Sequence, residues 1–172
     1  IIIYHKSTGT RMSFTLDKWD CHRMMIYHNI TPPSFFREYS MKSTELSELG
    51  IKGMKYLSDK IEYCMADSDF NKNDLSEAGY SCPVDVRPIL IPFDDYKKVP
   101  DEAIIKKYCD GYVNIIFVGR IAPNKKQEDV IRAFNYYKKH INSRSRLVFV
   151  GSYSGMESYY DRLCRYVDAL GL

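Results

Sequence analysis

The sequence has no CxxC pair among its five cysteines, Cys21, Cys64, Cys82, Cys109 and Cys164. Their wide spacing argues against a zinc site and a disulfide framework, and leaves reduced thiols of a cytoplasmic protein as the expectation. No apolar run is long enough to span a bilayer, and no signal peptide opens the chain. Charge of either sign is nowhere concentrated: 25 Lys and Arg against 22 Asp and Glu leave a scattered net charge of +3, which argues against nucleic acid as a partner. A carboxylate cluster of the kind that holds a divalent cation is also missing, so no metal is expected. Repeats and low-complexity tracts are absent. What 172 residues with 45% hydrophobic and 27% charged content do offer is a globular chain able to bury a core. The 15 tyrosines suit amphipathic covers of helices.

The most informative stretch is 114–134, NIIFVGRIAPNKKQEDVIRAF. Ile115, Ile116, Phe117 and Val118 form a continuous apolar run, the pattern of a parallel strand covered on both faces. Asn124 followed by Gln127 reads as a helix-start capping pair, and Val130, Ile131, Phe134 and Tyr137 recur at helical spacing toward about Ile141. Between strand and helix lie Gly119, Arg120, Lys125 and Lys126. Cations at the positive end of a helix dipole are unfavourable unless an anion offsets them, so the arrangement invites a phosphate; a solvated surface has the same composition.

The first half alternates in the same way. Residues 1–4 are an apolar strand that opens abruptly, as an internal stretch of a longer chain would, and HKSTGT at 5–10 supplies a polar turn with Gly9. A short helix is expected at 14–20, and a second strand at 23–27 ends at His28. Tyr4-His5 and Tyr27-His28 echo one another, so both imidazoles can face one cleft, where histidine readily donates or accepts a proton near neutral pH. Further on, an amphipathic helix is expected from Thr44 to Ile61, weakened by Gly50 and Gly53. A strand at 63–66, a helix ended by Gly79 with Ser68 and Asn71 near its start, and a strand at 86–91 follow. Residues 92–111 shift to charges and prolines, which suits a connector with one short helix at 101–108. The last elements are a strand at 146–150, a turn with Gly151 and Ser152 on the sheet edge shared with Gly119, and a helix opened by a Ser154–Glu157 capping box.

VGRIAPNKKQEDVIRAF resembles the opening of the second domain of retaining, family 4 glycosyltransferases of the GT-B fold, and YHNITPPSFFREY resembles a segment of their first domain. The resemblance implies an α/β protein of two partial Rossmann-like parallel-sheet units, 1–92 on the acceptor side and 112–172 on the donor side, joined by a charged linker at 93–111. It implies that Arg120 and Lys125, with Gly119, hold the diphosphate of a UDP-sugar or GDP-sugar, and that His28 lines the site between donor and acceptor. His5, Gly9, Lys126, Gly151 and Ser152 are weaker candidates for the cleft. Position 126 departs from the pattern, since the family commonly has Gly where this chain has Lys126. The family's two glutamates further along have no counterpart up to Leu172. The acceptor implied is a glycan or a lipid-linked one, with a cytoplasmic location that extends to peripheral contact with the inner face of a membrane. An epimerase on the same fold, or a non-catalytic nucleotide-binding partner, would use the same cations.

Overall fold

The computed structural model describes residues 1–172. The chain divides into two compact units, Ile1–Ile91 and Pro92–Leu172. In the first, β1 (Ile2–Lys6), β2 (Arg23–Tyr27), β3 (Tyr63–Ala66) and β4 (Val84–Val86) form a parallel sheet in sequential order. Helix α1 (Met41–Tyr56) joins β2 to β3, and α2 (Asp69–Glu77) joins β3 to β4. Lys6 stands beside Tyr27, and Tyr27 beside Ala66, so three strands end level at the carboxyl edge. Met25, Tyr27, Leu57, Cys64 and Leu75 are buried beneath the helices, and each large apolar side chain so placed contributes about 1.5–3 kcal/mol.

Three expectations for this unit are corrected. The helix anticipated at 14–20 is a pair of 3-10 turns, Arg11–Phe14 and Leu16–Lys18, the first capped by Thr10. Helix α1 starts at Met41, capped by Ser40, and stops at Tyr56, and it buries a stripe of small residues (Thr44, Ser47, Gly50, Gly53) while Leu46 stays exposed. The reason is close approach: a Cβ on Gly53 would lie 2.7 Å from Ser13 Cβ, and one on Gly50 3.0 Å from the Gly9 nitrogen. The glycines that weaken the helix locally are what let it dock. Strand β4 ends at Val86 because Pro88 cannot donate to a ladder; Arg87 makes the last bond, N–H to the Ala66 carbonyl at 2.8 Å.

The second unit holds a parallel pair, β5 (Val113–Val118) and β6 (Ser145–Val150), with helices α3 (Glu102–Tyr108), α4 (Gln127–His140) and α5 (Glu157–Ala169). Asp101 caps α3 by accepting from the Ala103 and Ile104 amides. The segment after α3 is fastened to the strands: Asn114 Nδ2 donates to the Tyr108 carbonyl at 3.0 Å, and Arg146 pairs with Asp110 while lying 5.2 Å from the Tyr108 and Tyr112 rings. Ile131 and Phe134 of α4 and Tyr159 and Leu163 of α5 are buried. The double coverage expected of β5 is not seen. Ile116 and Val118 are 61% and 76% exposed, so one side of this two-stranded sheet is open. No helix is long and apolar enough to cross a membrane.

Candidate functional site

In the second unit the two strand ends are drawn together. Backbone pairing continues past the sheet, from the Gly119 amide to the Val150 carbonyl and from the Ile121 amide to the Ser152 carbonyl, both at 2.9 Å. Gly151 makes this approach feasible, since a Cβ there would lie 1.9 Å from the Gly119 oxygen. Ser152 is exposed and its hydroxyl accepts from the Ser154 amide, which makes it a turn residue.

Arg120 stands on this turn, exposed, with Nη2 donating to the Ser154 carbonyl at 3.0 Å. Its own carbonyl accepts from Gln127 Nε2 at 2.9 Å, and Gln127 Oε1 accepts from the Tyr159 hydroxyl at 3.2 Å. Gln127 is fully buried. The capping role expected of Asn124 and Gln127 is therefore corrected: Asn124 lies within a 3-10 turn, Pro123–Lys125, and the residue preceding α4 is Lys126, with no side-chain cap. Pro123, whose missing amide suits the first position of such a turn, pulls the helix start forward. Likewise Glu157 begins α5 and accepts from the Gly155 amide, a bond that holds its carboxyl below the usual range, with Arg120 adding to the effect.

Lys125 is exposed and forms no ion pair. Lys126 is left-handed, with φ 55° and ψ 43°, and its ammonium lies 3.9 Å from Glu128. This supplies a backbone reason for the glycine that the resembling family has at the position. Two cations at the carboxyl end of a parallel strand, over glycines that leave the backbone bare, suit an oxyanion with several oxygens.

In the first unit the carboxyl edge brings His5 and His28 together. Both belong to the β1–β2 pair, whose ladder the His28 amide extends by donating to the Lys6 carbonyl at 2.8 Å. His5 Nδ1 and His28 Nε2 are 2.9 Å apart, and the ring planes differ by 15° with centroids at 5.2 Å. Near-coplanar rings joined at their edges give this distance, so the contact is an in-line hydrogen bond rather than a face-to-face stack. His28 Nδ1 is 2.8 Å from Asp67 Oδ2, on the residue that follows β3. The side chains of His28 and Asp67 are 27% and 16% exposed. Asn29, with φ 73°, turns the chain immediately after His28.

Asp67 is the residue that sequence reasoning missed; its one signal was an acid placed directly after an apolar strand. The tyrosines of the Tyr-His echo go elsewhere, Tyr4 to Ser13 and Tyr27 to Asp74. Gly9 is buried under α1, where a Cβ would lie 2.2 Å from the Leu46 carbonyl oxygen, and Ser68 caps α2. A cavity of about 520 Å³ lies between α1 and α2 against Phe35, Phe70 and Asp74 and includes none of the expected residues.

No family model matches the chain, and no curated protein matches it. Solved structures do. An apo structure of OtsA is 13% identical with a TM-score of 0.65, over 92% of this chain and 40% of that one. An α,α-trehalose-phosphate synthase (UDP-forming) from Burkholderia vietnamiensis is 13% identical with a TM-score of 0.63, over 99% of this chain and 44% of that one. A trehalose-6-phosphate synthase, OtsA, gives 13% and 0.63 over 99% and 42%. The chain thus spans less than half the length of these proteins. At this identity the likeness is one of fold: an α/β chain with Rossmann-like parallel-sheet units of the GT-B type.

Proposed function

We propose that this chain is part of a glycosyltransferase that moves a sugar from a nucleoside diphosphate-sugar to a glycan or lipid-linked acceptor with retention of anomeric configuration. The observation that carries the reading is the turn after β5, where Arg120 is braced through its carbonyl by Gln127 and Lys125 stands exposed without an ion-pair partner. A departing nucleoside diphosphate gains charge on its oxygens, so cations fixed at that point lower the barrier as well as bind the donor. The guanidinium offers a planar fork and the ammonium a point charge, and together they supply the neutralisation that a divalent metal would otherwise give. His28 and its partners belong to the acceptor side of this chemistry.

The family 4 pattern in residues 118–134 supports the retaining mechanism, and the UDP-forming name of a fold neighbour makes UDP the first nucleotide to test. The reading places the protein in the cytoplasm, with peripheral contact at the inner face of a membrane where the acceptor is lipid-linked. Its test is thermal stabilisation of the chain by UDP and by GDP, in wild type and in Lys125→Ala. Lys125 has no partner to lose within the fold, so the variant should keep the unliganded melting temperature. Loss of one charge-assisted contact should weaken nucleotide binding by roughly tenfold or more. No shift with either nucleotide would refute the donor site; binding without turnover of any nucleotide-sugar in the full-length protein would leave a nucleotide-binding partner instead of a transferase.

A further inference from the structure

Cys64 and Cys82, both free thiols, bring their sulfurs to 3.7 Å at the core of the first unit. The contact follows from the sheet register. Cys64 stands opposite Val84 and its amide donates to the Pro83 carbonyl at 2.9 Å, which holds Cys82, the next residue back, beside β3. Tyr80 is anchored by its hydroxyl to the Met54 carbonyl at 2.9 Å. The chain on both sides of Cys82 is thereby fixed, and the sulfurs meet across residues 65–81, which contain the end of β3 and all of α2. The two thiols differ in access. Cys64 is fully buried and Cys82 only partly, so a small reagent in water reaches Cys82 first.

We infer that Cys64 and Cys82 form a redox-modification site, at which a low-molecular-weight disulfide such as oxidised glutathione converts the pair into an internal disulfide that staples α2 to the sheet. Cys82 Sγ attacks one sulfur of the reagent. The reagent's S–S bond breaks, a mixed disulfide forms on Cys82, and the first small thiol departs with the Cys82 proton. Cys64 Sγ then attacks Cys82 Sγ: the protein S–S bond forms, the mixed bond breaks, and the second small thiol takes the Cys64 proton. Two protein thiols are oxidised and one small disulfide is reduced to two thiols. Bonded sulfurs lie about 2.05 Å apart, a gap that side-chain torsion closes from 3.7 Å. Burial raises the Cys64 thiol above its usual pKa, with Cys82 adding to the effect, so its thiolate is scarce and exchange is slow in both directions. The pair therefore answers sustained oxidation and not a brief pulse. Once closed, the bond encircles Ser68, which caps α2, and Asp74, which accepts from Tyr27, and it restricts the unfolded chain over that segment. The site stands apart from the glycosyl-transfer reading and is untouched by its failure.

The test is incubation of the folded 172-residue chain, dilute and free of denaturant, with oxidised glutathione, followed by alkylation of the remaining thiols and peptide mass mapping. One peptide pair linked through Cys64 and Cys82 is expected, with Cys21, Cys109 and Cys164 joined to neither. The link should form faster as pH is raised and should revert with dithiothreitol. The linked chain should melt about 5–15 °C above the reduced one, and Cys82→Ser treated in the same way should show neither the link nor the rise. Oxidation that stops at a glutathione adduct on Cys82, a bond from Cys64 or Cys82 to another cysteine, or a link that forms only in denaturant would overturn the site. A linked chain that melts no higher than the reduced one would overturn the staple.

Discussion

The side chain of Gln127 holds the main chain of Arg120: its Nε2 donates to the Arg120 carbonyl at 2.9 Å from a fully buried position on the first turn of α4. Helix and turn are thus coupled by one amide, which also accepts from Tyr159 of α5. Gln127→Leu keeps the volume and removes both bonds, leaving the carbonyl unsatisfied. The expected cost is about 1–3 kcal/mol in chemical denaturation, with faster deuterium exchange at residues 119–126 and weaker nucleotide binding. Unchanged exchange there would mean that the turn is held by the strand ends alone.

Position 126 allows a backbone prediction. A left-handed non-glycine residue costs about 1–2 kcal/mol; glycine removes that strain, but its freer unfolded state takes back part of the gain. Lys126→Gly should therefore stabilise the chain slightly, by at most about 1 kcal/mol, while the β-branched Lys126→Val should destabilise it by a similar or larger amount. The order of the three melting temperatures is the measurement, and valine equal to lysine would show that the backbone at 126 relaxes.

Lys6 is fully buried with only neutral acceptors, Ser13 Oγ at 2.9 Å and the Thr8 carbonyl at 3.1 Å, and burial pulls its pKa from the ordinary 10.5 down to about 8. Between those values the unfolded chain retains a proton that the folded chain has released, so stability rises with pH. The penalty is present in full below about pH 8 and is relieved toward 10.5. Buried tyrosines act oppositely: burial raises Tyr27, Tyr80 and Tyr159 above their usual value, so their contribution is lost once unfolded tyrosine ionises near pH 10. Unfolding curves should show stability increasing from about pH 8 to 10 by an amount of order 2 kcal/mol, and Lys6→Met should abolish the increase.

Gly9 is the contact point of the β1 loop with α1. In Gly9→Ala the new carbon would meet backbone atoms, the Leu46 oxygen at 2.2 Å and the Gly50 nitrogen at 2.9 Å, neither of which can rotate away. A loss of about 3 kcal/mol or more is expected, with the first unit melting earlier than in wild type. A variant as stable as the parent would show that α1 shifts without cost.

Much of the fold was readable because β2, β3, β5 and β6 are short apolar runs that end in turn chemistry, and hydrophobic periodicity reports such runs directly. The misreadings have local physical causes. Pro88 ends the strand before apolar residues 89–91, Pro123 converts an apparent helix cap into a 3-10 turn, and α1 buries glycine and serine beside Met54 where an amphipathic pattern reports only the apolar side chains. The meeting of His5 and His28 was suggested by their equivalent positions at strand ends. Asp67 was not, because its meaning comes from the β2–β3 register, which no single segment encodes.

The open side of β5 has a colloidal consequence. Ile116 and Val118 form a bare greasy ridge on a strand whose outer rim of amide and carbonyl groups has no ladder partner. Prepared alone at high concentration, the chain should cluster edge to edge, and one lysine at Val118 should keep it dispersed more effectively than any change in ionic strength.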